Sequence, residues 1–299
     1  MISIDPKTYN QVALSRLLTG AVAPRPIALV SSISQSGAVN LSPYSFFNVF
    51  SYRPPILIFS VSRRMRDNTT KDTLENVLEK PEVVINIVNH DLVEQMSLTS
   101  TEYDRGVNEY EKAGLTPIPS ERVQPPRVAE SPVAFECKVN QVLPLGETGG
   151  AGNLVVCEVI LAHYSEQILI DEGTVDPVKL DAVARMGNNW YSRANGDSLF
   201  EIVKPGQSLG IGVDKLPDPI RYSSVLSGND LGRLGNLKAF PDAGELETIK
   251  KEEVVRALIE TKAPEEQWHT LAKRVLEVGE REKALAILMI GLESYAIKE

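Results

Sequence analysis

The sequence is short of the residues that most often carry metal and nucleophile chemistry. Its 299 residues include only two cysteines, Cys137 and Cys157, and three histidines, His90, His163 and His269. There is no CxxC pair and no HExxH helix, and no two histidines stand at helical ligand spacing, so no metal-ligand set is legible. A G-x-S-x-G elbow and a Walker loop are missing too, which leaves nucleophilic and nucleotide-hydrolysing chemistry unsupported. "GETGGAGN" is rich in glycine but joins two predicted strands. A dinucleotide fingerprint needs a helix opening at its end, so this stretch reads as a long hairpin loop. Both cysteines lie in strand-like segments and read as buried free thiols rather than as a cross-sheet pair.

Excess positive charge is also lacking. The 31 Lys and Arg face 40 Asp and Glu, a net charge of −9, with a pI near 5.1. That argues against a nucleic-acid partner held by a general basic field, while leaving room for a local basic pocket around a single phosphate. No run approaches the roughly 20 apolar residues that a bilayer crossing requires. "MISIDPKTYN" has neither a basic leader nor an apolar stretch, and cytoplasmic residence is the default expectation. The composition, 42% hydrophobic and 24% charged, is that of a globular protein with ample material for a core.

Strand signals dominate the first two-thirds. Runs rich in Val and Ile and bounded by Pro, Gly, Asn or Ser predict strands over Ile27–Ile33, Ala38–Leu41, Ile56–Ser62, Val83–Val88, Val133–Leu143, Asn153–Tyr164 and Gln167–Asp171. "VSSISQSGAVN" predicts a hairpin turning near Gln35–Gly37. Helices are expected in "TKDTLENVLEKP", closed by Pro81, in "HDLVEQMSLTS" and in "GVNEYEKAGL". Few strands are separated by the helical crossover of a parallel sheet. A mainly β protein, an antiparallel barrel with helices at its ends, fits better than a doubly wound sheet.

The last third changes character. We divide the chain into 1–215 and 216–299, the second part being a turn-rich linker, "LPDPIRYSSVLSGNDLGRLGN", followed by a small α-helical extension. "KKEEVVRALIET" places Val254, Val255, Leu258 and Ile259 on one face. "APEEQWHTLAKRVLEVG" opens with Pro264 and acidic residues, as helix starts prefer, and carries Trp268, Leu271, Val275 and Leu276 as its apolar stripe. "REKALAILMIGLESYAI" is apolar around much of its circumference and has to be covered on several sides. Such helices pack on their own domain, across a dimer, or against another protein.

The stretch "NLSPYSFFN", Asn40 to Asn48, is unusually dense in amides, hydroxyls and rings for a connection between two strands. The strand that follows ends in "FSVSRRMRDNTTKDT", with Ser60, Ser62, Arg63, Arg64, Arg66, Asn68, Lys71 and Thr73 close together. Asp72–Thr73 then open a helix whose free N–H groups suit a phosphate. Read without further context, the same residues also describe a helix cap with solvated surface arginines.

The ordered set "RPIALVSSISQSGAVNLSPYSFFN", "PPILIFSVS" and "KDTLENVLEKPEVVINIV", continuing through "LVVCEVILAHY" to "RMGNNWYSR", resembles the flavin reductase-like family of the FMN-binding split-barrel superfamily over roughly residues 8–200. The resemblance implies an antiparallel, Greek-key-like split β-barrel, FMN as cofactor, and a homodimer with FMN at the subunit interface. It implies that Asn40, Ser42, Ser45 and the backbone N–H groups of Phe46 and Phe47 meet the pyrimidine edge of the flavin, with Pro43 stiffening the loop. Asn48 either joins them or fixes the loop itself. Ser60, Ser62, Lys71 and Thr73 would take the phosphate, helped by Arg63 and Arg66, while Asp72 caps or braces. Arg185 and Trp190 would approach the flavin or the dimer partner; the plainer reading is a surface turn with a buried Trp. Many reductases of this superfamily carry Gly-Asp-His before the late long strand, with the His linked to nicotinamide. Here that place reads "GAGN", ending in Asn153, and His163 reads as structural.

These residues lead us to expect an FMN-binding oxidoreductase that passes hydride from NAD(P)H to the flavin and on to a small-molecule electron acceptor. No catalytic side chain, metal, membrane or nucleic acid is implied. The competing expectation is a non-catalytic FMN-binding protein using its C-terminal helices to dock a partner. A barrel related to pyridoxamine phosphate oxidases has weaker motif support.

Overall fold

The computed structural model describes every residue except 171, 172, 203, 205, 207, 208 and 296–299. The chain divides into two compact units, Met1–Phe200 and Glu201–Glu299.

The first unit opens with helix α1 (Gln11–Ala21), capped by the Asn10 side chain on the Ala13 N–H. The strands β1 (Arg25–Pro26), β2 (Ala28–Ile33), β3 (Val39–Tyr44), β4 (Phe47–Tyr52) and β5 (Pro55–Ser62) follow directly. Next come α2 (Asp72–Glu79), β6 (Glu82–Ile87), α3 (Val93–Leu98), α4 (Glu109–Ala113) and the short pair β7 (Pro117–Ile118) and β8 (Arg127–Val128). Two long strands, β9 (Val133–Pro144) and β10 (Gly152–Tyr164), precede β11 (Leu169–Ile170), β12 (Thr174–Val175), α5 (Pro177–Leu180), β13 (Val183–Arg185) and β14 (Tyr191–Arg193).

Seven strands form one sheet in the order β3-β2-β6-β9-β10-β5-β4, and every neighbouring pair is antiparallel. β2 and β6 run almost wholly buried in the sheet, and the polar residues they carry, Ser31, Ser32 and Asn86, are buried with them. One face of the sheet packs Val30, Phe59, Val61, Ile85, Val155 and both cysteines against Leu74 and Val77 of α2. A second cluster joins Leu29, Leu41 and Val88 to α3 and α4 through Met96 and Tyr110. Cys137 and Cys157 are buried free thiols, as expected.

The two edge strands, β3 and β4, are consecutive in sequence and separated only by Ser45 and Phe46. Three Cα–Cα steps span on the order of 11 Å at most, so the opposite edges of the sheet come together at this corner. Here the structure corrects the sequence reading: "NLSPYSFFN" is mostly strand, with a two-residue corner in place of a loop. Pro43 is tolerated in β3 because it lies on an edge strand. The other strands lie within one to three residues of the expected bounds, and Asp171, the last residue of the strand expected over 167–171, lies outside the described residues. The β2–β3 hairpin turns at Gly37, at φ +91°, and "GETGGAGN" spans the β9–β10 connection.

The second unit is helical: α6 (Asp218–Arg221), α7 (Gly228–Gly235), α8 (Ala243–Ile249), α9 (Glu253–Glu260), α10 (Glu265–Glu277) and α11 (Arg281–Tyr295). Residues 216–236 are not a plain linker. Leu216, Ile220, Leu226 and Leu234 are buried in one core with Trp268, Leu276, Leu285 and Ile287, while Ile211 and Val213 pack against it. That recruitment places the unit boundary earlier than residue 215. Val254 points away from the core and is exposed, unlike Val255. The final helix is buried along much of its length, as its all-round apolarity requires; Ala296 and Ile297 lie outside the described residues. Among the described residues no helix is long and apolar enough to cross a membrane.

Candidate functional site

The site grows from the end of β5. Ser62 and Arg63 leave the sheet, a loop runs through Asn68 at φ +59°, and the chain returns at Lys71 to start α2. Lys71 occupies the N-cap position without any side-chain cap. Among the described residues the N–H groups of Asp72 and Thr73 meet no acceptor, since the first helical bonds run from Leu74 and Glu75 to the Lys71 carbonyl. The Lys71 ammonium is half-buried and lies 5.4 Å from the centroid of the Tyr44 ring. It has no carboxylate within ion-pair distance among the described residues. Burial, with Arg64 adding to it and Glu102 opposing, holds its pKa below the ordinary lysine value. An unpaired cation beside free helix N–H groups suits an anion.

Tyr44 links this cation to the core. Its buried ring tilts against Phe59 at 5.3 Å between centroids, and its hydroxyl donates to Thr73 Oγ1 at 2.9 Å. Asn40 Nδ2 donates to the same oxygen at 2.8 Å. Asn76 Nδ2 donates to Ser32 Oγ at 3.0 Å, so a buried polar network ties α2 to β2 and β3. This arrangement revises the roles expected of Thr73 and Asn40. Thr73 is fully removed from solvent and Asn40 nearly so, and their side chains brace the cradle instead of facing a ligand. Ser60 is also buried; its N–H donates to the Phe46 carbonyl at 2.8 Å, and a Cβ on Gly152 would meet its Oγ at 2.5 Å.

The expected arginine helpers are spent on the loop. Arg63 donates from Nε and Nη2 to Oδ1 and O of Asn68, both at 2.7 Å. Arg64 reaches Thr69 and Thr70 and pairs with Glu102 at 3.5 Å. Arg66 is largely exposed and pairs with Asp67 and Glu102. The arginines therefore shape the loop and set its potential, and Lys71 is left as its free cation.

At the β3–β4 corner, Ser42 and Ser45 are half-buried, Phe47 is half-buried and Phe46 is about half exposed. The Ser45 hydroxyl has no partner among the described residues. Asn48 is exposed and its Oδ1 accepts from the Val49 N–H at 2.8 Å, which favours the loop-fixing role. A residue missed in the sequence lies beneath this corner. Arg25, 8% exposed, has its guanidinium carbon 5.9 Å from the Phe46 ring centroid. Its Nη1 donates to the carbonyls of Thr19 and Val22 and its Nη2 to that of Met186 at 2.8 Å. The "RP" pair was visible, but only the strand pairing reveals what the arginine holds. Arg185 stacks on Tyr191, 4.6 Å from guanidinium carbon to ring centroid. Trp190 is 74% exposed, which removes the reading of a buried Trp.

Two other groups prove structural. Asn153 is buried and donates to the Val61 carbonyl at 2.9 Å. His163 Nε2 lies 2.7 Å from Oε1 of the fully buried Glu136. That carboxylate also accepts from the N–H groups of Glu121 and Arg122, which pins the loop after β7. His90, Asp91 and Asp181 gather at the surface, but Asp181 is already held by both arms of Arg193 and by Asn195. A cavity of about 1070 Å³ lined by residues such as Leu237, Phe240, Arg281 and Leu285 belongs wholly to the helical unit.

Fold and site together define a class: a mainly antiparallel sheet protein whose edges meet at a corner of hydroxyls and aromatic faces, beside an uncapped, lysine-bearing helix start. Residues 20–175 match the flavin reductase like domain, just over half of the chain, and the protein belongs to that family within the FMN-binding split-barrel superfamily. An uncharacterised protein of Aquifex aeolicus is 40% identical over 189 residues, which are 63% of this chain and 94% of the relative. The structure of nitrilotriacetate monooxygenase component B from Bacillus cereus is similar at 33% identity and a TM-score of 0.63, over 68% of this chain and 98% of that one. The 2-nitrobenzoate 2-nitroreductase of Pseudomonas fluorescens is similar at 28% identity and a TM-score of 0.60, over 70% of this chain and all of its own. These matches take up nearly the whole of each relative, and about a third of this chain lies outside them. They support a flavin-related oxidoreductase.

Proposed function

We propose that the protein is an FMN-dependent oxidoreductase of the flavin reductase type, its sheet closing as a split barrel, that takes hydride from NAD(P)H and serves a small-molecule acceptor. The observation that carries this reading is Lys71, half-buried and without an ion-pair partner among the described residues, at the uncapped start of α2. The donor set fits a phosphate monoester, and the corner ten or more residues upstream fits a flat ring with a polar rim. The FMN, when bound, supplies the two-electron chemistry. The chain's part is to hold and align. Lys71 and the start of α2 neutralise the phosphate, with Ser62 at the loop's entry. Ser42, Ser45 and the N–H groups of Phe46 and Phe47 face the ring's pyrimidine edge, and the phenyl groups exclude water. Hydride transfer needs proximity more than a side-chain acid or base, which accords with the scarcity of histidine.

A homodimer belongs to the same proposal. Helix α1 has no buried residue, and Val12, Leu17 and Leu18 on it are exposed. Edge strand β4 likewise exposes Val49, Phe50 and Tyr52. A bare apolar edge invites pairing, and a second copy covering it would enclose the ring site between subunits.

The test is the absorption spectrum of the purified protein, followed by anaerobic addition of NADH and NADPH. A colourless protein that takes up no added FMN defeats the whole reading. Bound flavin that stays oxidised with both donors defeats the reductase part. A second reading, a non-catalytic FMN-binding protein that docks a partner through its C-terminal helices, draws support from the separate helical core and from Asn153 being buried where a nicotinamide-handling His would be sought. Flavin that binds tightly yet is never reduced would favour it.

A further inference from the structure

The pairing of β1 with β13 sets Arg25 directly opposite Arg185. Side chains at directly opposed positions of an antiparallel pair share a face, and like charges there repel. Arg25 registers this: burial first, and the Arg185 charge second, hold its guanidinium below the ordinary arginine value. No carboxylate answers either cation within ion-pair distance among the described residues. Arg25 spends its Nη donors on the carbonyls of Thr19, Val22 and Met186, and so fixes the residue that follows Arg185. The Arg185 side chain makes no hydrogen bond among the described residues. It is half-buried and its guanidinium carbon lies 4.6 Å from the Tyr191 ring centroid, while Trp190, the residue before Tyr191, is exposed. Through Arg25 the same patch touches Phe46, the aromatic residue of the β3–β4 corner.

A half-buried guanidinium held against a second cation is a standing electrostatic cost, and an incoming anion relieves it. One free planar fork with parallel N–H donors matches two coplanar oxygens, the geometry of a carboxylate. The rings around it match a flat apolar body. We propose that Arg185, positioned by Arg25 and flanked by Tyr191 and Trp190, recognises a carboxylate carried on an aromatic electron acceptor. This inference rests on the flavin-site reading, because only there does a neighbouring acceptor site have a purpose. It adds the substrate class that reading leaves open.

The experiment uses the full chain, loaded with FMN and also flavin-free, with benzoate as probe and benzamide as its uncharged counterpart. Calorimetric titration is expected to show benzoate binding about tenfold or more tightly than benzamide, the ~1.4 kcal/mol or more that a charge-assisted fork contributes. Arg185→Met should remove that preference and Arg185→Lys should restore part of it, in the flavin-free protein as in the FMN-loaded one. Equal binding of the two probes to the wild type overturns the proposal. So does an Arg185→Met protein that loses FMN affinity while keeping its benzoate preference. If benzoate fails to bind and Arg185→Met instead alters the elution volume on sizing, the arginine answers a carboxylate of a second copy, and the proposal falls. Failure of the flavin reading is separately visible as a wild type that takes up no FMN, whatever benzoate does.

Discussion

Replacing Lys71 by Met separates a phosphate site from a helix cap with a decorative lysine. Methionine keeps the length and apolar stem of the side chain, so the contact with the Tyr44 ring survives in shape. What disappears is one ammonium with no carboxylate within ion-pair distance among the described residues. A hydrogen bond to a charged group contributes about 1.5–3 kcal/mol, and every ~1.4 kcal/mol is tenfold in affinity. FMN should therefore bind roughly 10- to 150-fold more weakly to Lys71→Met. Riboflavin, which has the same ring and no phosphate, should bind both proteins alike. Folding stability should hold or rise, because burial is the main force on the Lys71 pKa and that desolvation cost is relieved.

The assay is quenching of flavin fluorescence with the two ligands titrated in parallel. The sign of its pH dependence follows from Lys71. Its pKa in the free protein lies below the ordinary lysine value, so the ammonium loses its proton at a lower pH than an exposed lysine does. The FMN-over-riboflavin ratio should fall as pH rises through that value, and the fall should be missing in Lys71→Met. Equal weakening of both ligands, or of neither, refutes the assignment of the phosphate to this helix start.

Thr73→Val removes the acceptor of the Tyr44 hydroxyl and leaves Asn40 Nδ2 only its 3.4 Å bond to Ser32 Oγ, at a cost of about 1–3 kcal/mol in unfolding free energy. Denaturant melts should show the loss while the FMN-over-riboflavin ratio stays near that of the wild type; a selective loss of FMN would restore Thr73 as a phosphate ligand. Ser45→Trp puts a bulky ring into the two-residue corner and should weaken both flavins by about tenfold or more, with circular dichroism unchanged. In the helical unit, Ser223 Oγ accepts from the N–H groups of Val225 and Leu226, which leaves its proton for Nδ1 of the buried His269 at 2.7 Å. Burial lowers the His269 pKa, with Glu265 opposing, so stability is full above the unfolded value of about 6.5 and is lost as pH falls below it. Thermal melts between about pH 5 and 8 should show that loss in the wild type and a flatter profile in His269→Gln.

What the sequence disclosed and what it hid divide along the range of the interactions. The Val- and Ile-rich strands, the turn at Gly37 and the start of α2 are set by nearest neighbours, and they were legible. Thr73 lies beside Lys71 in sequence, but the partners of its hydroxyl, Asn40 and Tyr44, come from a strand thirty residues away, which neighbouring residues cannot disclose. Arg63 and Arg66 looked like anion ligands by composition. Only the loop geometry shows Arg63 closed on Asn68 and Arg66 paired with acids. Arg25 passed unnoticed for the same reason, since its opposite number is 160 residues further on. The linker was misread because its glycines and serines outnumber the few leucines that the helical core recruits.

The stretch Asn40–Asn48 shows why such a site is partly readable and partly not. Its residues contribute in two directions at once: Leu41 and Tyr44 face the core, while Ser42 and Ser45 stay half open. Here the two edges of one sheet meet across Ser45 and Phe46, so the polar positions of an edge strand are gathered at a corner beside a helix start. Pattern alone announces a half-buried strand with too many donors. The strand order gathers those donors into one wall beside that helix start.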